Sequence, residues 1–284
     1  MTNVSTVSLK DREHESWTRV APGWRAYDDT LRWYLGVVTE RMLATAAIGV
    51  GQRVLDIASG SGEPAIPAAE QVGPTGHVLG VDFVEEMLAI ARRKAEDKGL
   101  GNVEFRRVDG EELDSPAGAF DAVLIRWGIM FMPDAAACLA RAHRAVRSGG
   151  RIAVACWAQP ERNPWASIPL AALRRHVDMP APPPGAPGLF SFADPARLRE
   201  VLENAGFADV RLDEVPVVFG EFDDGREYFK MILGLAGPIA RLFAGLSPEV
   251  QKKVTDEVCV AAEAYRTAGL IAVKGVSWVA SAHR

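Results

Sequence analysis

Between Trp17 and Ile48 the apolar positions Trp24, Tyr27, Leu31, Tyr34, Leu35, Val38 and Met42 recur at three- and four-residue steps. That spacing stacks them on one helical face and predicts helix, with residues 1 to about 14 polar and frayed before it. Then the period changes. Arg53–Ile57, His77–Asp82, Val103–Val108, Phe120–Ile125 and Arg151–Trp157 are short apolar runs that read as strands. Helical segments separate them, one from Glu63, one over Phe83–Lys98 and one over Asp134–Val146, the last closed by Ser148-Gly149-Gly150. Apolar strands alternating with helices predict a parallel sheet covered on both faces.

After residue 158 the alternation breaks. The pattern predicts a helix around Trp165–His176, a proline-rich loop over Pro180–Pro187, and a helix from Asp194 to Ala205 ending at Gly206. Strand-like residues follow at Val210–Phe222, then helices near Gly225–Leu235 and Pro248–Ala268, and a last strand at Ile271–Ala282. The chain divides into an N-terminal helical segment (1–48), a ligand-binding core (49–158), an inserted helix and proline-rich loop (159–193), and a C-terminal part of the core (194–284) with a helical insertion at about 225–268.

The net charge of −5 is spread among interspersed acids and bases, without the basic stripe that nucleic acid requires. No apolar run approaches the roughly 18 residues of a membrane span, and the N-terminus lacks the apolar core of a secretory leader. Cys138, Cys156 and Cys259 are far apart and show no metal spacing. Reduced thiols, no metal and a cytoplasmic location are the economical expectation.

The chemistry gathers at strand ends. Asp56-x-Ala58-x-Gly60-x-Gly62 joins a strand to a helix, where glycines allow a sharp turn and close approach of a ligand. Gly60 to Ala65 satisfies the dinucleotide fingerprint G-x-G-x-x-[G/A], with Asp82 twenty residues after Gly62. A carboxylate at Asp56 and another at Glu63 would repel a pyrophosphate and favour the ammonium and sulfonium of S-adenosylmethionine. Asp82 can accept from ribose hydroxyls under either reading. Asp109-Gly110-Glu111 after the third strand and Arg126-Trp127-Gly128 after the fourth add two more polar ends on the same sheet edge, where ligands bind in such folds.

Taken together, Val54–Gly62, Gly80-Val81-Asp82 with Glu86-Met87-Leu88, Val108–Glu111, Phe120–Val123 and Ser148–Arg151 resemble the class I S-adenosylmethionine-dependent methyltransferases. The branch most resembled holds ubiquinone/menaquinone-type and natural-product small-molecule enzymes. The resemblance implies an α/β, doubly wound, Rossmann-like seven-stranded sheet with an antiparallel last strand, and N-terminal and inserted helices as a lid. It implies S-adenosyl-L-methionine as cofactor and S-adenosyl-L-homocysteine as product, held by Asp56, Ala58, Gly60, Gly62, Asp82, Phe83, Met87, Asp109, Gly110, Glu111 and Arg126. Family members commonly have glycine where Ala58 stands; alanine permits close approach there if its φ is negative.

Methyl transfer from a sulfonium is a direct displacement, so alignment and exclusion of water matter more than an obligatory catalytic residue. A hydroxyl acceptor would gain from a general base, for which His176 and Tyr27 are the candidates. Trp24, Trp127, Met130, Phe131 and Trp165, with Trp157, fall where an acceptor pocket would form and suit a small apolar or aromatic molecule. Phe229, Met231, Ile232, Leu235, Leu242 and Phe243 in the insertion suit either a lid or a dimer interface, leaving monomer and homodimer both open. The competing functions are a dinucleotide-dependent oxidoreductase and a protein that binds the cofactor without transfer, such as a cyclase or scaffold.

Overall fold

The computed structural model describes residues 8–179, 183 and 185–284. Parts of the expected frayed start and of the proline-rich loop therefore lie outside the described residues. Two helices open the chain, α1 (Leu9–Ala26) and α2 (Asp28–Thr45). The first begins eight residues before the apolar periodicity of Trp17 does. Its start is a capping box: Ser8 Oγ accepts from the Asp11 amide while the Asp11 carboxylate accepts from the Ser8 amide. The polar spacing Ser8-x-x-Asp11 carries this signal, which apolar periodicity alone misses.

The alternating region follows as β1 (Arg53–Ile57), α3 (Ala65–Val72), β2 (His77–Asp82), α4 (Glu85–Asp97), β3 (Val103–Arg107), β4 (Phe120–Arg126), α5 (Ala135–Ala145) and β5 (Val146–Trp157). Ser148-Gly149-Gly150 does not close α5; it lies inside β5, beside a register irregularity against β4. Then come α6 (Pro164–Arg174), α7 (Pro195–Asn204), β6 (Ala208–Phe222), α8 (Gly225–Leu235), α9 (Gly237–Ala244), α10 (Pro248–Ala262), the two-residue β7 (Arg266–Thr267) and β8 (Leu270–His283).

Seven strands run in the order β3-β2-β1-β4-β5-β8-β6, with β7 paired to β8 beside them. β1 to β5 are mutually parallel, and β8 enters antiparallel between β5 and β6. The fold is the parallel sheet that the apolar pattern predicts, closed by the antiparallel last strand that the family resemblance implies. β1, β4 and the later part of β5 are buried on both faces, which explains their nearly continuous apolar runs.

Strand order reverses between β1 and β4. The carboxyl ends of these strands flank a crevice, the usual ligand position in such sheets. Helices α1, α8 and α9 pack together across that edge. Phe229, Met231, Ile232 and Leu235 are buried within the chain, so the insertion spends its apolar surface on the covering layer. Among the described residues, no helix is long and apolar enough to cross a membrane.

Candidate active site

A cavity of about 770 Å³ opens at the crevice beneath α1 and α9. Of the strand-end residues read from the sequence, Ala58, Gly60, Asp82, Phe83, Met87, Asp109, Gly110, Glu111 and Arg126 line it. Four separate strand ends thus meet on one wall.

The loop after β1 turns through left-handed backbone at Ala58 (φ 58°), Gly60 (φ 51°) and Gly62 (φ 96°). The alanine therefore does not keep the negative φ expected of it. Its side chain is accommodated by the loop after β4, where a Cβ on Gly128 would lie 2.3 Å from the Ala58 Cβ. Gly128 is glycine because the two loops touch there. Asp82 holds the turn from the other side: the Gly60 N–H donates to Oδ2 and the Val84 N–H to Oδ1, each at 2.9 Å. Burial raises the Asp82 carboxyl above its usual range, although these amides oppose it.

Asp56 does not stand at the lip. It is fully buried behind the loop, off the cavity wall, and neither carboxylate oxygen has a hydrogen-bond partner among the described residues. Burial raises its carboxyl far above the usual range, and the charges of Asp82 and Glu63 add to this, while the Arg126 charge opposes it. Arg126 is itself buried, with its guanidinium 4.6 Å from the Trp127 ring centroid and 3.4 Å from Thr39 Oγ1. The charge facing the cavity from this side comes from Glu63, Asp82, Asp109 and Glu111. An open left-handed loop, an acidic wall and an unpartnered carboxyl behind it together fit a cofactor carrying an ammonium and a sulfonium.

Lys10 reaches from α1 to Asp109 Oδ2 at 2.6 Å and to Glu111 Oε2 at 2.5 Å. Asp109 Oδ1 accepts from the Glu111 N–H, and Glu111 Oε1 accepts from the Asp134 N–H. Lys10→Ala should release the start of α1, with hydrogen exchange over residues 9–20 faster by about fivefold. The half-exposed ion pairs hold only about 1 kcal/mol, so global unfolding should move little. Unchanged exchange in α1 would show that the helix is held by its apolar face alone.

On the acceptor side, Trp127 and Trp157 stack with centroids 4.4 Å apart and planes at 12°. Trp165 and Phe219 stack at 4.3 Å and 8°, and Trp157 joins the pairs by a tilted contact with Trp165 at 4.7 Å. All four line the cavity, as do Trp24 and Phe131. Trp127 is pinned by its indole N–H, which donates to Ser277 Oγ at 3.0 Å on β8.

Gly62, Met130, Tyr27 and His176 are not on the wall. Met130 is fully buried, and its carbonyl anchors the Gly188 amide and Ser191 hydroxyl of the loop that forms the opposite wall. Tyr27 sits at the junction of α1 and α2 with its ring beside Gly234. His176 Nε2 pairs with Glu257 Oε1 at 2.8 Å, tying the end of α6 to α10. The sequence reading missed Trp17, Phe219, Leu170 and Ile239 as wall residues, as well as Lys10, Glu13, Arg174 and Arg197. Trp17 belongs to the apolar face of α1; the others become neighbours only through the tertiary fold.

Residues 37–177 match the model of the ubiE/COQ5 methyltransferase family. The chain is 34% identical over 195 residues to the nocamycin O-methyltransferase of Saccharothrix syringae, covering 65% of this chain and 69% of that one. It is 29% identical over 223 residues to the demethylmenaquinone methyltransferase of Listeria monocytogenes, covering 72% and 91% respectively. A phosphoethanolamine N-methyltransferase of Haemonchus contortus shares the fold with a TM-score of 0.58 at 17% identity, over 98% of this chain and 60% of that one. The chain belongs to the S-adenosylmethionine-dependent methyltransferases. Its relatives there are small-molecule enzymes, menaquinone and natural-product methyltransferases, and the ubiE/COQ5 model matches just under half of the chain.

Proposed function

We propose that the protein methylates a small aromatic metabolite by direct displacement, and that its own residues contribute alignment and exclusion of water. The observation that carries this reading is the continuous ring wall from Trp127 through Trp157 to Trp165 and Phe219, beside the loop after β1. The ring edges and the little face that these stacked pairs leave to the cavity would give a planar acceptor dispersion contact in a restricted orientation. A relative named as a demethylmenaquinone methyltransferase, whose acceptor is a quinone, supports an acceptor of this kind.

S-adenosylmethionine supplies an activated methyl group on a positively charged sulfur. We assign its methionine part to Ala58–Ser61 with Asp56 and Arg126 behind them, its ribose to Asp82, and its adenine to Phe83, Met87, Asp109 and Gly110. The Asp82 oxygens already accept one amide each, so they orient the loop and offer their remaining lone pairs to a ligand. Trp17 on α1 meets the Phe131 ring edge-on at 5.0 Å, an apolar contact at the cavity wall that would help exclude water from a bound acceptor. Alignment of this kind accounts for large rate gains without a protein base. We further propose a cytoplasmic enzyme with reduced thiols: Cys138 and Cys156 are fully buried, and burial pushes the Cys138 thiol up to about 12.

Turnover with labelled S-adenosylmethionine on a panel of phenols, hydroquinones, aromatic acids and aliphatic amines tests this reading. Transfer should be confined to ring-bearing acceptors, and His176→Ala should leave kcat within about twofold because its imidazole is spent on Glu257. Transfer to aliphatic amines alone would defeat the aromatic reading. A drop of about 100-fold in kcat for His176→Ala would reinstate a base there.

A further inference from the structure

The charges around the cavity are unevenly spread: on the wall made by the strand ends the cations Lys10 and Arg126 lie among acids, Lys10 paired to Asp109 and Glu111. Acidic groups crowd the wall made by the strand ends, while the segment between α6 and α7 and its flanks carry guanidiniums. Arg174 ends α6, one turn beyond Leu170 on the same face, and both line the cavity. It lies about 13 Å along the helix from Trp165, at 1.5 Å per residue. Arg197, on α7, lines it too, donating to the Gly185 carbonyl at 3.2 Å with its guanidinium 4.9 Å from the Phe192 centroid.

Neither arginine has a carboxylate partner among the described residues, whereas their neighbours Arg175 and Arg199 pair with Glu257 and Glu203. Arg241, the other guanidinium toward the lid, faces Glu13 and donates to Ser16 Oγ. Arg174 and Arg197 are thus cations on an otherwise largely apolar wall formed by Leu170, Met179, Leu189 and Phe190. Arg197 is half-buried and Arg174 exposed, so a neutral acceptor packed against them would displace part of their water without replacing it, a cost that falls mainly on Arg197. An acceptor bringing a carboxylate would replace that water with charge-assisted, fork-shaped hydrogen bonds.

We propose that Arg174 and Arg197 form an anion-recognition end of the acceptor site, and that the aromatic acceptor carries a carboxylate away from the methylated position. This rests on the aromatic-acceptor reading above. It makes the cavity bipolar, with acids toward the cationic cofactor and arginines toward an anionic acceptor.

Calorimetry on the full chain saturated with S-adenosylhomocysteine tests it, using 3-hydroxy-2-naphthoate and its carboxamide as probes of equal shape. The carboxylate should bind about tenfold tighter, equivalent to about 1.4 kcal/mol. Arg174→Gln and Arg197→Gln should each erode that preference, and the double variant should abolish it while S-adenosylhomocysteine affinity stays within twofold. Equal binding of the two probes to the unaltered protein overturns the proposal, as does a preference that survives in the double variant. Loss of S-adenosylhomocysteine binding in the variants also overturns it, because the arginines would then serve the cofactor's own carboxylate. If neither probe binds while S-adenosylhomocysteine does, the aromatic-acceptor reading falls and this assignment falls with it. Thermal melts of each variant, expected to match the unaltered protein, exclude misfolding as the cause.

Discussion

Gly128→Ala is expected to lower methyl transfer by about 100-fold while leaving the protein folded. The new methyl would stand 2.3 Å from the Ala58 Cβ, well inside van der Waals contact, so the loop after β1 or the loop after β4 must move. Both line the cavity, and a displacement near 1 Å at a reacting centre costs about that factor. Overpacking of this kind costs about 1–3 kcal/mol of stability. Ala58→Gly removes the opposing methyl and relaxes a left-handed alanine, a strain of about 1 kcal/mol. The double variant Ala58→Gly with Gly128→Ala should therefore regain most of the activity. Kinetics of the two single variants and the double variant check this. No recovery in the double variant would show that Gly128 acts by some route other than contact with Ala58.

Asp56→Asn is expected to move stability and cofactor affinity in opposite directions. Burial raises the Asp56 carboxyl in the folded protein, so its contribution to stability is full below the unfolded value near 3.8. That contribution is lost as pH rises toward the folded value. Removing the ionisable group removes the loss. At pH 7 the cofactor-free Asn variant should be more stable by about 1–3 kcal/mol, with the gap closing toward pH 4. Affinity for S-adenosylhomocysteine, which retains the ammonium, should fall by about tenfold or more through loss of a negative charge behind the loop. Urea unfolding across pH, with and without S-adenosylhomocysteine, reads both effects. A variant less stable than the parent at every pH would mean that Asp56 is held by hydrogen bonds rather than left unpartnered.

Asp56 is legible as the end of a strand and the start of a loop, because strand and helix periods switch around it. Its charge at the lip is not legible. Alternation along β1 cannot say which side chain faces a cavity when both faces of the strand are covered. The same limit applies to His176: its type and its helix are readable, but Glu257 lies 81 residues away on α10 and only packing brings them together. Lys10 was hidden for another reason, since a polar helix start is announced by its capping box and not by apolar spacing.

The order of strands and helices, the glycine-bearing ends and the cluster of aromatic residues after β4 and β5 are all written in local periodicity. Period 2 and period 3.6 are properties of a few consecutive residues, and turn chemistry is too. They were enough for the parallel sheet and its ligand-bearing edge; the antiparallel last strand and the cofactor were legible only through the motifs' resemblance to a known family. Tertiary structure alone decided that Gly128 meets Ala58, that Lys10 closes on Asp109, and that Phe219 completes the ring wall with Trp165. It also decided that Arg174 and Arg197 look into one cavity. Each is a contact between segments far apart in the chain, set by how the layers pack and not by any local preference.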